Sequence, residues 1–194
     1  MNIFLDCGTH LCEGLLDFWN NKIIDETFEI HTFEPNPACF VEERISSLPF
    51  KVVFHNCAVW TDDEEVNFRQ ENHKESKTAS PTDNRSDIDG WGSSVEGIGF
   101  FHGGYLTPPI KVKAIDFSKF VKDLPEGSKI ICKMDIEGSE FKVLRKMIKE
   151  ETIRKIDAIY VEFHERSMKD ESVSSKNEIV KKIQDMGIKI YPWS

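Results

Sequence analysis

The chain has 194 residues, of which 39% are hydrophobic and 30% charged, and a formal net charge of −9. This length supports one well-buried core and is short for two, so we predict a single domain over residues 1–194. The acidic charge excludes the clustered basic surface from which nucleic-acid-binding proteins gain most of their affinity. No apolar run approaches the ~20 residues of a membrane span, and the N-terminus lacks a signal-peptide pattern, so we expect a soluble, cytoplasmic protein.

The first part of the chain alternates short apolar runs with segments of helical periodicity. In chain order the pattern predicts strands at 3–5, 28–33 and 51–59, and helices at 14–24 and 38–47. A short strand at 66–68 is expected to pair with a neighbour. The chain starts directly at the first strand, which is typical of a domain cut from a longer protein.

Residues 69–109 interrupt this alternation and are predicted to be an insertion. Its first half is polar, and its second half is rich in glycine and aromatic residues and includes Trp91. Connections this long inside compact domains are uncommon and often form lids or binding loops. We expect the second half, with Trp91, Ser93 and Ser94, to face a substrate, and the alternative is a surface loop.

The alternation resumes after the insertion. The pattern predicts strands at 110–115, 129–136, 156–163 and 188–193, and helices at 116–122, 139–149 and 178–186. Strands that alternate with helices favour an α/β fold with a mostly parallel central sheet covered by helices, which is a three-layer, Rossmann-like arrangement.

The five cysteines lie mostly in or beside apolar runs, which is typical of reduced thiols. Cys7, His10 and Cys12 are close in sequence, but no second Cys/His pair at zinc-ligand spacing accompanies them. We therefore expect neither a disulfide nor a structural zinc.

Three predicted strands end in an acid, namely Asp6, Glu34 and Asp135. In a parallel sheet these acids gather at the carboxyl edge, where open sheets bind ligands, and the expected ligand is a nucleoside cofactor. Gly8 allows a tight turn and close approach of the backbone. The next glycine is Gly14, so the G-x-G-x-x-G fingerprint of dinucleotide binding is missing. The alternative for this segment is an ordinary turn capped by Asp6.

Glu34 is placed to accept hydrogen bonds from both hydroxyls of a ribose. The proline that follows it leaves a helix cap as the alternative. Farther along, Lys133, Asp135 and Glu137 alternate with apolar residues, so they are expected to share one side of the strand as far as it continues. Burying these charges is costly unless they have partners or a function. The alternative is an ion-paired strand end.

Five segments carry a family resemblance: Asp-Cys-Gly at 6–8, Phe-Glu-Pro-Asn at 33–36, His-Asn-Cys-Ala-Val at 55–59, Lys-Met-Asp-Ile-Glu-Gly-Ser-Glu at 133–140 and Tyr-Val-Glu-Phe-His at 160–164. In this order they resemble the FkbM family of S-adenosylmethionine-dependent methyltransferases, and the Lys-x-Asp-x-Glu-Gly-x-Glu block is the most specific. The resemblance implies the class I methyltransferase fold and methylation of a hydroxyl oxygen, most often of a sugar or glycan.

The resemblance also implies roles for individual residues. Asp6 and Gly8 would contact the methionine part of S-adenosylmethionine, Glu34 its ribose, and the stretch from Asn56 to Val59, including Ala58, its adenine. Asp135 would lie near the transferred methyl group. The implied set is Asp6, Gly8, Glu34, Asn56, Ala58 and Asp135 for the cofactor, Asp135, His164 and Glu137 for catalysis, and Trp91, Ser93 and Ser94 for the substrate.

Methyl transfer to a hydroxyl requires alignment and a base, for which Asp135 and His164 are the candidates. The alternative for His164 is a surface histidine beyond the fifth core strand. A divalent cation held by Asp135, Glu137 and Glu162 would be another way to activate the hydroxyl. Carboxylates at strand ends do not by themselves indicate a metal, so none is predicted.

The chain departs from the family pattern in its first loop. His10 stands where the family has Asn, and Cys12 stands where it has a second glycine, which bears on cofactor affinity. Two other functions stay open at this point: an NAD(P)-dependent oxidoreductase on a Rossmann-like fold, and a non-catalytic nucleoside-binding domain. The acceptor is expected to be a small molecule or a glycan.

Overall fold

The computed structural model describes residues 1–39, 48–72, 93–95 and 105–193. The predicted helix at 38–47 lies almost wholly outside these residues, and so does Trp91. The strands are β1 (Asn2–Cys7), β2 (Phe28–Phe33), β3 (Val52–His55), β4 (Ala58–Trp60), β5 (Glu64–Phe68), β6 (Glu71–Asn72), β7 (Tyr105–Leu106), β8 (Ile110–Asp116), β9 (Lys129–Met134), β10 (Ala158–Val161) and β11 (Lys189–Pro192). The helices are α1 (Glu13–Asn20), α2 (Phe117–Asp123), α3 (Glu140–Lys149) and α4 (Val173–Asp185), with a 3₁₀ turn at Thr152–Lys155.

A six-stranded sheet with the order β11-β10-β9-β1-β2-β3 forms the centre of the fold. All five of its strand pairs are parallel. From β1 the chain moves outward through β2 to β3, and it later returns to β9 and moves outward in the opposite direction. The strand order therefore reverses between β1 and β9, and such a switch point is where open α/β sheets bind ligands. The predicted parallel α/β fold is confirmed.

Side chains of the central strands pack on both faces of the sheet. Ile3 and Leu5 of β1 belong to a core formed with Phe141 of α3 and Ile179 of α4. Phe4 points to the other face, where it packs with Phe18 of α1 at a ring-centroid distance of 4.8 Å. This alternation follows from the two-residue repeat of a strand. Helices on both faces make the three layers that the sequence predicted.

A second, smaller sheet has the order β4-β8-β5. The predicted strand at 51–59 is in fact two strands, because the chain leaves the central sheet after His55 and enters the small sheet at Ala58. The predicted strands at 66–68 and 110–115 are confirmed, but both lie in this small sheet. β5 and β8 are antiparallel, while β4 and β8 are parallel.

Helix α4 begins at Val173, five residues before the predicted start at 178. Ser172 caps it, since the Ser172 hydroxyl accepts a hydrogen bond from the backbone N–H of Ser175 at 3.2 Å. The apolar periodicity starts only at Ile179, which explains the late prediction. In the described part of the chain no helix is long and apolar enough to cross a bilayer.

Candidate active site

The ends of β1, β2 and β9 lie side by side at the switch point of the central sheet. Gly8 follows β1, and its backbone N–H donates to the carbonyl of Phe33 at the end of β2 at 3.0 Å. Gly8 has a φ of +76°, and a Cβ atom there would lie 1.8 Å from the carbonyl oxygen of Asp135. Only glycine fits this conformation and this approach. The close approach at Gly8 is thus made to the backbone that follows β9, and its approach to a ligand stays a prediction.

Lys133, near the end of β9, lies beneath this loop. Its Nζ donates to the carbonyl of Gly8 at 2.7 Å and lies 3.4 Å from Oδ1 of Asp6 and 3.5 Å from Oδ2 of Asp135. Burial lowers the pKa of Lys133, but the charges of Asp6 and Asp135 outweigh it, so its pKa is above the ordinary value. The buried ammonium is therefore charged and links the ends of the two strands.

Asp6 is completely buried and serves the shape of the first loop. Its Oδ2 accepts a hydrogen bond from the Thr9 hydroxyl at 2.5 Å, and its Oδ1 faces Lys133. The Asp6 carboxylate therefore contacts both the turn after β1 and strand β9. A direct contact of Asp6 with a cofactor stays a prediction.

Glu34 lies just past β2, and its side chain is buried. Its Oε2 accepts from the backbone N–H of His10 at 2.9 Å, and its Oε1 accepts from that of Asn36 at 2.8 Å. Burial raises the pKa of Glu34, and the two backbone hydrogen bonds oppose the rise. Because a carboxylate has about four acceptor positions, further hydrogen bonds remain available to a ligand. Glu34 also joins the first loop to the end of β2.

The two residues of the first loop that depart from the family pattern have a left-handed backbone conformation. His10 has a φ of 47° and Cys12 a φ of 68°. Asn and Gly, which the family places at these positions, tolerate this region better than other residues do. Cys12 begins α1 without a side-chain hydrogen bond to the first turn. The loop therefore keeps its shape here at some cost in backbone strain.

The predicted adenine-binding stretch divides into an exposed and a buried part. Asn56 is exposed at the carboxyl edge, and its Nδ2 donates to the carbonyl of Glu34 at 2.9 Å. Ala58 is buried in the small sheet, where it packs with Val66 and Ala114. The structure thus places Asn56 beside the candidate site and Ala58 in a core.

The start of the insertion is tied to the turn that holds Glu34. Gln70 Nε2 donates to Oδ1 of Asn36 at 2.7 Å. One residue earlier, Arg69 forms a pair of backbone hydrogen bonds with Ser94, at 3.0 and 2.9 Å. Ser94 is buried and Ser93 is half-buried. Their contact with a substrate stays a prediction, while the link to Asn36 brings their segment near the carboxyl edge.

A sharp turn follows β9 and carries Glu137. The predicted strand ends at Met134 rather than at 136, and Glu137 and Gly138 have φ angles of 52° and 99°. Glu140, completely buried in the first turn of α3, accepts from the N–H of Ile136 at 2.8 Å and from that of Gly138 at 2.9 Å. The turn, and not the strand pleat, therefore directs Glu137.

His164 lies among the carboxylates of this turn, and its side chain is only 14% exposed. Its Nδ1 is 3.2 Å from Oε1 of Glu140, and its Nε2 is 3.4 Å from Oε2 of Glu137 and 3.9 Å from Oδ1 of Asp135. Glu162 lies 4.0 Å from the same nitrogen. The interpretation of His164 as a surface histidine is wrong, because four acids surround it.

These contacts change the protonation of the cluster. Burial lowers the pKa of His164, but the hydrogen bond with Glu140 and the charges of Glu140, Glu137 and Asp135 raise it to about 10. Burial raises the pKa of Glu137 to about 8 against the charge of His164, and neighbouring carboxylates add to the rise. At neutral pH His164 is therefore an imidazolium that donates hydrogen bonds and cannot accept a proton.

One group of possible metal ligands occurs in the described residues, formed by Asp135, Glu140 and His164 with ligand atoms within 4.8 Å of one another. Both oxygens of Glu140 already accept backbone hydrogen bonds, and His164 holds its proton strongly. A divalent cation would have to displace that proton. The arrangement therefore fits a cation poorly, and we derive no step from one.

Sequence reasoning gave no role to several residues that shape the site. Glu140 belongs to the most specific motif, and an acid in the first turn of a helix that binds preceding amides resembles a capping box, which is a signal that could have found it. Lys133 was recognised as a costly buried charge without an assigned partner. Asn36 belongs to a motif of the family resemblance but was given no role, and Thr9 was not singled out, since the roles of both arise from contacts within turns.

Comparisons with known proteins agree with this geometry. The family model described as the methyltransferase FkbM domain matches residues 6–190, which is nearly the whole chain. Comparison with curated proteins and with solved structures gave no match. The match begins at Asp6 and extends into β11, so it includes the ends of β1, β2 and β9. The chain belongs to the FkbM methyltransferase family.

Proposed function

We propose that the protein is an S-adenosylmethionine-dependent O-methyltransferase that acts on a hydroxyl group of a sugar or glycan. The observation that carries the proposal is the convergence of β1, β2 and β9 at the switch point, with Glu34 and Asp135 on either side of the Gly8 loop. Family membership supplies the general activity, methyl transfer. The donor, the hydroxyl acceptor and the sugar are the parts that we propose.

The residues at the carboxyl edge fit this cofactor. Glu34 is held by two backbone amides and keeps acceptor positions for the two hydroxyls of a ribose. Asn56 is exposed beside it, next to where an adenine would extend. Asp135, with its side chain 24% exposed, provides a negative charge near a cationic sulfonium. S-Adenosylmethionine would supply an electrophilic methyl group at this edge.

We assign the role of base to Asp135. Its Oδ2 faces Lys133 at 3.5 Å, and its Oδ1 faces the His164 imidazolium at 3.9 Å. These two cations orient the carboxylate, while its exposed portion is free to receive the proton of an acceptor hydroxyl. The alignment of the acceptor oxygen with the methyl carbon supplies the remaining part of the rate enhancement.

His164 and Glu137 act beside this base in the proposal. His164 is protonated, so it orients Asp135 and Glu137 by its charge. Glu137 has a raised pKa of about 8, so it can take up or release a proton near neutral pH. Partly exposed Glu137 and Glu162 also offer acceptor oxygens for sugar hydroxyls.

Thermal unfolding with S-adenosylmethionine, S-adenosylhomocysteine, NADH and ATP tests the cofactor. A ligand at a hundredfold excess over its Kd stabilises by ~2.7 kcal/mol, which raises the Tm by several degrees. A shift with the two sulfur nucleosides alone is expected. A shift with NADH alone would replace the proposal with an oxidoreductase.

Release of S-adenosylhomocysteine across a panel of saccharides, glycosides and non-sugar alcohols tests the acceptor. Turnover confined to sugars supports the whole proposal. Turnover confined to other alcohols or to amines would retain methyl transfer and remove the sugar assignment. Cofactor binding without turnover on any acceptor would favour a non-catalytic nucleoside-binding domain.

A further inference from the structure

A charged lysine occupies a fully packed position beside the proposed base. The side chain of Lys133 is 4% exposed, and it lies in β9, one of the two strands that flank the switch point. Lysine is rarely buried this deeply without a partner, and an aliphatic side chain would fill the space at lower cost. The contacts of Lys133 therefore indicate the role of its buried charge.

The contacts of Lys133 all lie on the two segments that frame the cofactor site. Its shortest hydrogen bond, 2.7 Å, goes to the carbonyl of Gly8, which is 125 residues away in the chain. Carboxylate oxygens of Asp6 and Asp135 lie 3.4 and 3.5 Å from the ammonium. One cation thus contacts the first loop, the strand before it and the proposed base.

Other contacts hold the first loop to the end of β2, whereas Lys133 ties it to β9. Gly8 and Thr9 donate their backbone N–H groups to the same carbonyl, that of Phe33, at 3.0 and 3.1 Å. His10 and Cys12 have left-handed backbone, which is unfavourable for these residue types. A hydrogen bond from a charged donor to the Gly8 carbonyl opposes this strain.

We propose that Lys133 is a positioning residue that fixes the Gly8 loop against the end of β9 and thereby sets the loop and Asp135 at the separation that cofactor binding needs. The predicted effect on cofactor affinity rests on the proposed function. The structural content of the inference, the anchoring of the loop, is independent of any ligand.

The test uses a double variant, because Lys133→Met alone leaves the buried Asp6 carboxylate without its cation and is expected to unfold easily. Lys133→Met combined with Asp6→Asn removes both charges and keeps an oxygen that can accept from Thr9. Lys129→Met is the matched control, since it removes an exposed lysine at the other end of the same strand. Guanidinium unfolding establishes that each variant folds cooperatively.

Two measurements are made on wild type, the double variant and the control. Amide hydrogen exchange of residues 8–12 in ligand-free protein is expected to accelerate about tenfold or more in the double variant, because a charged hydrogen bond is lost. The Kd for S-adenosylhomocysteine, measured by calorimetry, is expected to rise by a similar factor. Lys129→Met should change neither quantity.

The outcomes separate the inference from the function on which it rests. Wild-type exchange rates in the folded double variant would overturn the inference, because Lys133 would then only neutralise Asp6. Faster exchange with an unchanged Kd would overturn the link between loop position and affinity. Wild-type protein that does not bind S-adenosylhomocysteine would refute the proposed function, and the exchange rates would still decide whether Lys133 anchors the loop.

Discussion

The protonated state of His164 predicts how much stability the substitution His164→Gln removes at each pH. The pKa of His164 rises from an ordinary value of 6.5 to about 10 in the folded protein. A raised pKa stabilises the folded state fully below pH 6.5, and this stabilisation disappears as the pH rises through 10. Since each tenfold change in proton affinity is worth about 1.4 kcal/mol, His164 contributes at most about 5 kcal/mol at pH 6, about 3 kcal/mol at pH 8 and under about 1 kcal/mol at pH 10.

The measured loss should fall below this ceiling, because Glu137 can take up a proton when the imidazolium is missing. Guanidinium unfolding of wild type and His164→Gln at the three pH values gives the loss directly. His55→Gln is the matched control, because the pKa of His55 is lowered, mainly by burial and also by the charge of His31. Its contribution is present above the ordinary pKa and fades only as the pH falls below it.

A loss that is the same at pH 6 and pH 10 for His164→Gln would refute the reasoning. It would mean that His164 stabilises by packing alone and that the surrounding carboxylates do not hold its proton. A loss that shrinks with rising pH, while that of His55→Gln does not shrink between pH 8 and pH 10, would confirm the imidazolium.

Three further substitutions test the site and the backbone. Glu34→Ala should weaken S-adenosylhomocysteine binding by about 2 kcal/mol, the size of a charge-assisted hydrogen bond, and an unchanged Kd in calorimetry would remove the ribose assignment. Asp135→Asn should leave the cofactor bound yet lower turnover about a hundredfold, as expected for loss of a general base, and wild-type rates would contradict that role. Glu151→Gly should stabilise the folded protein by about 1 kcal/mol and raise the Tm by about 2–4 °C. The exposed Glu151 follows α3 with a left-handed φ of 60°, and its side chain forms a surface ion pair with Arg154, which is worth little. A lower Tm would refute the strain argument.

Much of the fold could be predicted from local patterns. The strand at 28–33 was predicted with its observed bounds, since both its apolar run and the prolines after it are local signals. The division of 51–59 into β3 and β4 was not predicted, because the polar pair His55 and Asn56 does not show to which sheet the residues on either side of it belong. That choice depends on Ala58 finding its partner Ala114 across the small sheet.

The candidate site was predicted in outline and not in its connections. Asp6, Glu34 and Asp135 were expected at one edge because acids that follow parallel strands must meet there. Glu140 was passed over, although it holds the turn before α3 and contacts His164. An acid in the first turn of a helix is a local signal for its bonds to the preceding turn, but its contact with His164, 24 residues away, depends on the tertiary structure.

Local sequence patterns specify the alternation of strands and helices, the parallel sheet and the acids at its carboxyl edge, because periodicity and strand-end position are encoded by neighbouring residues. Two other properties arise only on folding: the contact of Lys133 with Gly8, 125 residues away, and the retained proton of His164 among four acidic side chains. Those properties arise from desolvation and from charges brought together by folding, and both depend on distances between segments that are far apart in the chain.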